Sequence, residues 1–161
     1  MSDTICEFLP FGRSLALLAK SYFGALAKKL EHLEIERYYS ILIIIDKSPD
    51  QCSQHCIGEK LKIDKVSMVR MIDYLIKKDF VEKIQNPNDR REYFVALTKK
   101  GVQLMPELYA AIDEVNKAAL KGFSKEQQTI LIQNINSIQS NLDSLPSEKI
   151  FINYKKSSKK I

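Results

Sequence analysis

Cys52, His55 and Cys56 fall within about one helical turn, a spacing that could present two thiolates and an imidazole to one metal ion. A tetrahedral site needs a fourth ligand, and none is apparent nearby in the chain, so no metal is assigned. His32 and His55 are the only histidines. No carboxylate pair stands beside a plausible nucleophile, and neither Cys6 nor Cys56 has a sequence-evident base. The chain therefore reads as a non-enzyme without a cofactor. The remaining chemistry is electrostatic. Residues 60–100 carry 11 Lys/Arg against 6 Asp/Glu, and a second basic cluster, Lys155, Lys156, Lys159 and Lys160, closes the chain. Basic segments of this kind suit a polyanion, because each phosphate they neutralise releases condensed counterions.

The composition says where such chemistry would sit. The 161 residues suffice for one domain with a real core, and the 45% apolar and 28% charged content is that of a globular chain. The longest apolar run, Ile41 to Ile45, is too short to span a bilayer, and the amino terminus lacks a secretion pattern. Three cysteines, Cys6, Cys52 and Cys56, form an odd set better suited to thiols in a reducing compartment than to disulfides. A cytoplasmic protein is expected.

Hydrophobic periodicity supplies the scaffold. Leu15, Leu18, Tyr22, Phe23, Leu26 and Leu30 make one stripe of a helix from Arg13 to Leu33. A second helix, about Glu36 to Lys47, carries Tyr39, Leu42, Ile43 and Ile45 and ends at Ser48-Pro49-Asp50. Ser53 can cap a third helix to Leu61, with Gly58 where two elements could cross closely, and Asp64 can cap a fourth. In that fourth helix Met68, Met71, Ile72 and Leu75 share one face, and Lys65, Val66, Ser67, Val69 and Arg70 fall on the other. The period then changes to two: 81–84 and 93–97 read as strands joined by a polar turn containing Asn86-Pro87-Asn88-Asp89. Thr98 can cap a fifth helix to about Lys121, and Ser124 with Gln127 forms a capping box for a sixth to about Leu142. The fold class is mainly α with one two-stranded sheet.

A capped short helix, a turn, a helix with one exposed face and a hairpin together resemble a winged helix-turn-helix. Asp89-Arg90-Arg91, a strand, and Leu97-Thr98-Lys99-Lys100-Gly101 resemble the MarR family of bacterial regulators, whose pattern is an Asp-x-Arg wing tip followed by Leu-Thr-x-x-Gly. The likeness extends over Ser53 to Leu61, Ile63 to Val81 and Gly122-Phe123-Ser124, nearly the whole span from Leu15 to Leu142. Two departures stand out. Asp79 occupies the usual glycine position after the fourth helix, where Asp tolerates a left-handed cap better than most residues, and Val66 and Val69 replace small hydroxyl residues.

The resemblance implies a homodimer bound to double-stranded DNA at a pseudo-palindromic operator. Residues 1–161 would form one MarR-like domain, with 1–34 and 102–145 as dimerisation helices, 35–101 as the DNA-binding lobe and 146–161 as a basic tail. Ser53, Lys65, Val66, Ser67, Val69 and Arg70 would face DNA, and Arg91 would enter the minor groove with Asp89 holding its guanidinium beside Arg90. Apolar stripes on the fifth helix (Leu104, Leu108, Ala111, Ile112, Val115, Ala119) and the sixth (Ile130, Leu131, Ile135, Ile138, Leu142) would build the dimer, unless they pack within one chain. The family's effector crevice maps onto Tyr22, His32, Tyr38 and Tyr39 and would take a small aromatic or anionic compound. Cys52 falls where the family packs an apolar residue. Cys6 is a candidate redox site, since some relatives sense peroxides with a cysteine near the first helix and tyrosines on the second. The competing readings are a winged-helix protein-interaction module that binds no DNA, and an enzyme using Cys6 or Cys56 as nucleophile.

Overall fold

The computed structural model describes residues 10–35, 37–48, 52–86 and 93–146. Six α-helices and one hairpin follow in the order α1 (Phe11–Lys29), α2 (Tyr39–Lys47), α3 (Gln54–Leu61), α4 (Lys65–Lys77), β1 (Val81–Gln85), β2 (Tyr93–Leu97), α5 (Lys99–Ala119) and α6 (Lys125–Asp143), with a 3-10 turn at Glu31–Leu33.

The helix starts follow from side chains that answer the orphan N–H groups of a first turn. Ser53 accepts from Cys56 N at 3.2 Å, Asp64 from Ser67 N at 3.0 Å and Thr98 from Gly101 N at 3.0 Å. Ser124 and Gln127 form the reciprocal capping box. All four caps were legible in the sequence.

The end of α1 was not. The expected helix to Leu33 stops at Lys29, and Glu34 is left-handed at φ 53°. Long-range partners hold this corner: Tyr74 OH donates to Glu34 O at 2.8 Å, and Lys78 Nζ lies 2.8 Å from Glu34 Oε2. Leu30 and Ile35, on either side, are both buried, so the chain must turn between them to place each in the core. The regular part of the second helix accordingly begins only at Tyr39.

A single hydrophobic cluster joins the helices. It runs from Leu26 and Leu30 through Ile41, Leu42 and Ile45 to Met68, Ile72 and Leu75, then to Val81, Val95, Leu108 and Val115. Here the sequence expectation for α5 needs correction. Leu104, Leu108 and Val115 are buried within the one chain, because α5 packs against α1 and α2, whereas Ala111 and Ile112 are half-buried and Ala119 is exposed; only part of the stripe is left open to a partner. α6 differs, since none of its residues is buried. Polar contacts line the seam with α5: Tyr22 OH donates to Asn116 Oδ1 at 2.7 Å, Lys29 pairs with Glu114, and Tyr109 OH donates to Asp46 Oδ2 at 2.6 Å. Burial and the Asp46 carboxylate push the Tyr109 phenol up to about 12.

β1 and β2 pair antiparallel with Val81 opposite Leu97 and Gln85 opposite Tyr93. Cys52 and Ser53 add a short edge to this hairpin: Val95 N donates to Cys52 O at 2.8 Å, and Ser53 bridges Phe94. That third edge ties the start of α3 to the sheet and had no signal in the periodicity. No described helix is long and apolar enough to cross a membrane.

Candidate nucleic-acid interface

α4 is positioned from both ends. At its start the Asp64 carboxylate caps the first turn, and bonds from the Ser67 side chain and backbone N–H hold its pKa below the ordinary 3.8. At its end Asp79 N donates to Ile76 O and Phe80 N to Leu75 O, each at 2.9 Å, with Asp79 left-handed at φ 61°. This is a Schellman closure, with buried Leu75 and Phe80 as its apolar pair. The chain thus leaves the helix through the conformation expected of Asp79.

Phe80 also fixes the hairpin and α5. Its carbonyl accepts from Thr98 N at 3.1 Å, the Thr98 hydroxyl donates to Asp79 O at 2.6 Å, and Lys100 Nζ sits 4.4 Å from the Phe80 ring centre. Gly101 is required by this approach, because a Cβ there would fall 2.1 Å from Phe80 O. The Leu-Thr-x-x-Gly pattern is therefore a clamp between the end of α4 and the start of α5.

α3 meets α4 through a similar economy of space. Lys62 is left-handed at φ 53°, and Ile63 N donates back to Gly58 O at 2.9 Å. A Cβ at Gly58 would lie 3.2 Å from Ile63 O, so the close approach at Gly58 is to this turn.

With Met68, Ile72 and Leu75 buried, α4 leaves Lys65, Val66 and Arg70 exposed, and Ser67 and Val69 half-buried. Val66 is 60% exposed, between Lys65 and Ser67 on the face that also carries Arg70. Neither Lys65 nor Arg70 has a partner among the described residues, whereas Asp73 on the same helix is held by Lys83 Nζ of β1 at 3.3 Å. The free charge on this face is thus positive, and its acidic member is tied to the sheet.

Ser53 departs from its expected place on that surface. It is 9% exposed, and its hydroxyl caps α3 beside the hairpin, so the helix start and the sheet edge claim it before any outside ligand. Asp89, Arg90, Arg91 and Cys6 lie outside the described residues. Cys52 is fully buried, as expected of a core residue, while Cys56 is half-buried and His55 is exposed and 3.4 Å from Glu59 Oε1. The three are thus in different surroundings. Among the described residues no group of three His, Cys, Asp or Glu side chains is placed to hold a metal.

The four crevice candidates are also distributed. Tyr22 bonds to Asn116, and His32 Nε2 lies 2.6 Å from Glu107 Oε1, so both belong to the α1–α5 side. Tyr39 is core at 6% exposure, and Tyr38 stands edge-on to Tyr74 of α4, with ring centres 5.3 Å apart.

The MarR family model matches residues 36–93, from the lead-in of α2 to the start of β2. The chain carries a MarR-family segment. Solved structures extend this likeness beyond the MarR segment to the helices that flank it. A MarR transcriptional regulator from Methanosarcina mazei is 24% identical with a TM-score of 0.73, over 83% of this chain and 97% of that one. A MarR-family regulator from Listeria monocytogenes, solved with a 26mer DNA, is 21% identical with a TM-score of 0.77, over 88% of this chain and 100% of that one. CouR from Rhodococcus jostii, solved with p-coumaroyl-CoA, is 23% identical with a TM-score of 0.70, over 85% of this chain and 94% of that one. At these identities the likeness establishes the fold. The MarR winged helix is α2, α3, α4 and the hairpin, and α1, α5 and α6 are its flanking helices.

Proposed function

We propose that the chain is a sequence-specific double-stranded DNA-binding transcription regulator. It acts as a homodimer on a pseudo-palindromic operator in the cytoplasm, responds to a small aromatic or anionic effector, and carries no enzymatic activity. The observation that carries the reading is the outward face of α4: Lys65, Val66 and Arg70 exposed on a helix capped at both ends and seated on a buried inner face, beside an antiparallel hairpin. A major groove admits one such helix, with Val66 and Val69 suited to thymine methyls and Arg70 or Lys65 to guanine or phosphate. The Listeria relative solved with DNA supports the same use of the lobe.

Residues 35–101 then form the DNA-binding lobe, flanked by dimerisation helices in 1–34 and 102–145 and followed by the basic tail 146–161. The open faces of α1 and α6 suit a second copy: Phe11, Leu15 and Leu18 on one, Ile130, Ile135 and Leu142 on the other, all exposed. Two lobes so joined read half-sites about one helical turn, ~10 bp, apart. CouR with its bound acyl-CoA supports effector control, in which a ligand that prefers the non-binding spacing of the lobes draws the population away from DNA.

The test is operator affinity against log salt, on matched and mutated half-sites. Arg91→Ala is expected to weaken binding across all sites and to flatten the salt slope by about one phosphate contact. Arg70→Ala is expected to change which base is preferred, by about 1 to 3 kcal/mol at one position. A protein-interaction module would give weak binding that neither substitution alters.

A further inference from the structure

No residue of α6 is buried and none joins the hydrophobic cluster, so the core that binds the other helices leaves this one out. Its start is fixed by the short turn from α5 and by the Ser124–Gln127 capping box. Nineteen residues on, about 28 Å at the helical rise, its other end comes back to the α3–α4 turn. There Asp143 Oδ1 lies 2.6 Å from Lys62 Nζ. Among the described residues this is the one hydrogen bond or ion pair that joins α6 beyond its first turn to the rest of the chain.

Local preference does not explain Asp143. A helix ends on unanswered carbonyls, so its last turn favours a cation and disfavours a carboxylate. Helices α1 to α5 each carry lysine in the last turn, whereas α6 carries no basic residue there and ends on Asp143. The cation that answers this acid is Lys62, eighty-one residues earlier in the chain. Gln139 Nε2 donates to the same carboxylate oxygen at 2.9 Å, and the Lys62 bond, with that of Gln139 behind it, holds the Asp143 pKa below the ordinary 3.8. Lys62 is itself anchored at its base: it closes α3 in the left-handed conformation at φ 53° and stands three residues before Lys65, where α4 begins.

We propose that Lys62 and Asp143 are positioning residues for DNA recognition, their ion pair a strut that sets the turn leading into α4 against the far end of α6. This assignment rests on the DNA-binding reading above, in which α6 also faces the second copy. An exposed ion pair adds little to folding stability, yet here it fixes how the recognition helix and the dimer surface stand to each other. Restricting them beforehand lowers the ordering cost of engaging two half-sites at once.

Asp143→Ala breaks the strut without weakening its helix, since alanine is the better helix former and the opposing charge is gone. The first measurement contains no DNA: residual dipolar couplings of the α4 and α6 amides in the 15N-labelled full-length chain. One alignment is expected to fit both helices in the unaltered protein, and separate alignments in Asp143→Ala and in Lys62→Met. The exchanged pair, Lys62→Asp with Asp143→Lys, should restore the single fit, because aspartate tolerates the left-handed backbone at 62. The second measurement is affinity for duplexes selected from a random-sequence library. Loss of a negative charge should by itself tighten binding to a polyanion. The strut requires the opposite for Asp143→Ala: about three- to tenfold weaker binding to a duplex with two half-sites, and no loss on a single half-site. A single fit retained in Asp143→Ala, two alignments in the unaltered protein, or two-half-site affinity that holds or rises overturns the proposal. Should the unaltered protein bind no duplex, the DNA-binding reading fails, and the couplings still decide whether the strut exists.

Discussion

Gly101→Ala puts two principles in opposition. Helix propensity alone favours alanine at an α5 position by about 1 kcal/mol. The structure opposes it: the new Cβ would fall 2.1 Å from Phe80 O and 3.3 Å from Leu97 Cβ, where ordinary contacts begin near 3.4 Å and none lies under 3.0 Å. α5 and the Phe80 carbonyl must therefore separate by about 1 Å. That carbonyl cannot swing away freely, because Phe80 N is bonded to Leu75 O and Phe80 O already accepts from Thr98 N at 3.1 Å. A shift of this size breaks the Thr98 bond and strains the Thr98 cap, which together with overpacking costs about 3 to 5 kcal/mol. Subtracting the propensity gain leaves a net loss of about 2 to 4 kcal/mol, or a drop in Tm of roughly 5 to 15 °C for a chain of this size. The assay is urea and thermal unfolding followed by circular dichroism at one fixed protein concentration, since an associating protein changes its apparent stability with concentration. Gly58→Ala grades the scale: its Cβ would lie 3.2 Å from Ile63 O, and its cost should stay near or below ~1 kcal/mol. If Gly101→Ala melts at or above the unaltered protein, or Gly58→Ala is the more damaging of the two, the clamp reasoning is refuted.

Asp79→Gly should raise stability by about 0.5 to 1 kcal/mol, because glycine adopts the left-handed φ of 61° without the Cβ penalty; equal or lower stability in urea would show that Asp79 is held by something else. Asp64→Ala should remove the α4 cap and lower stability to urea, and the unaltered protein should lose the same contribution on acidification. The folded-state pKa of Asp64 is depressed, so its contribution is complete above the ordinary 3.8 and fades as pH falls through the lower folded value; protection factors at Val66 and Ser67, taken relative to the intrinsic exchange rate at each pH, that do not fall on acidification would count against it. The protein should scatter light as a dimer at micromolar concentration, and Ile135→Lys on the open face of α6 should drive it toward monomer while α4 stays folded. A dimer unchanged by that substitution would move the interface elsewhere.

Much of this architecture is written locally. A cap needs only a Ser, Thr or Asp side chain and an N–H three residues ahead, so Ser53, Asp64, Thr98 and Ser124 announce their helices without knowledge of the rest of the chain. The inward side of α4 is equally local, because a spacing of three and four residues places Met68, Ile72 and Leu75 together whatever they pack against. The change to a two-residue period marks the hairpin, and Asp79 could be placed in the left-handed cap because the family resemblance puts it at the usual glycine position and Asp tolerates that conformation. Tertiary structure decided what depends on partners far along the chain. α1 ends early because Tyr74 and Lys78, some forty residues on, hold Glu34 in its turn. Leu104, Leu108 and Val115 of the α5 stripe face their own chain because α1 and α2 cover them, a choice that periodicity cannot make, since an apolar face has the same pattern whichever surface buries it. The Ser53 cap was local, but its burial beside the sheet edge, like that of the Arg37 nitrogen, depends on how the elements dock. Local hydrogen bonding and side-chain period belong to the sequence; burial belongs to the packed chain, because solvent is excluded only when elements distant in sequence close over the same atoms.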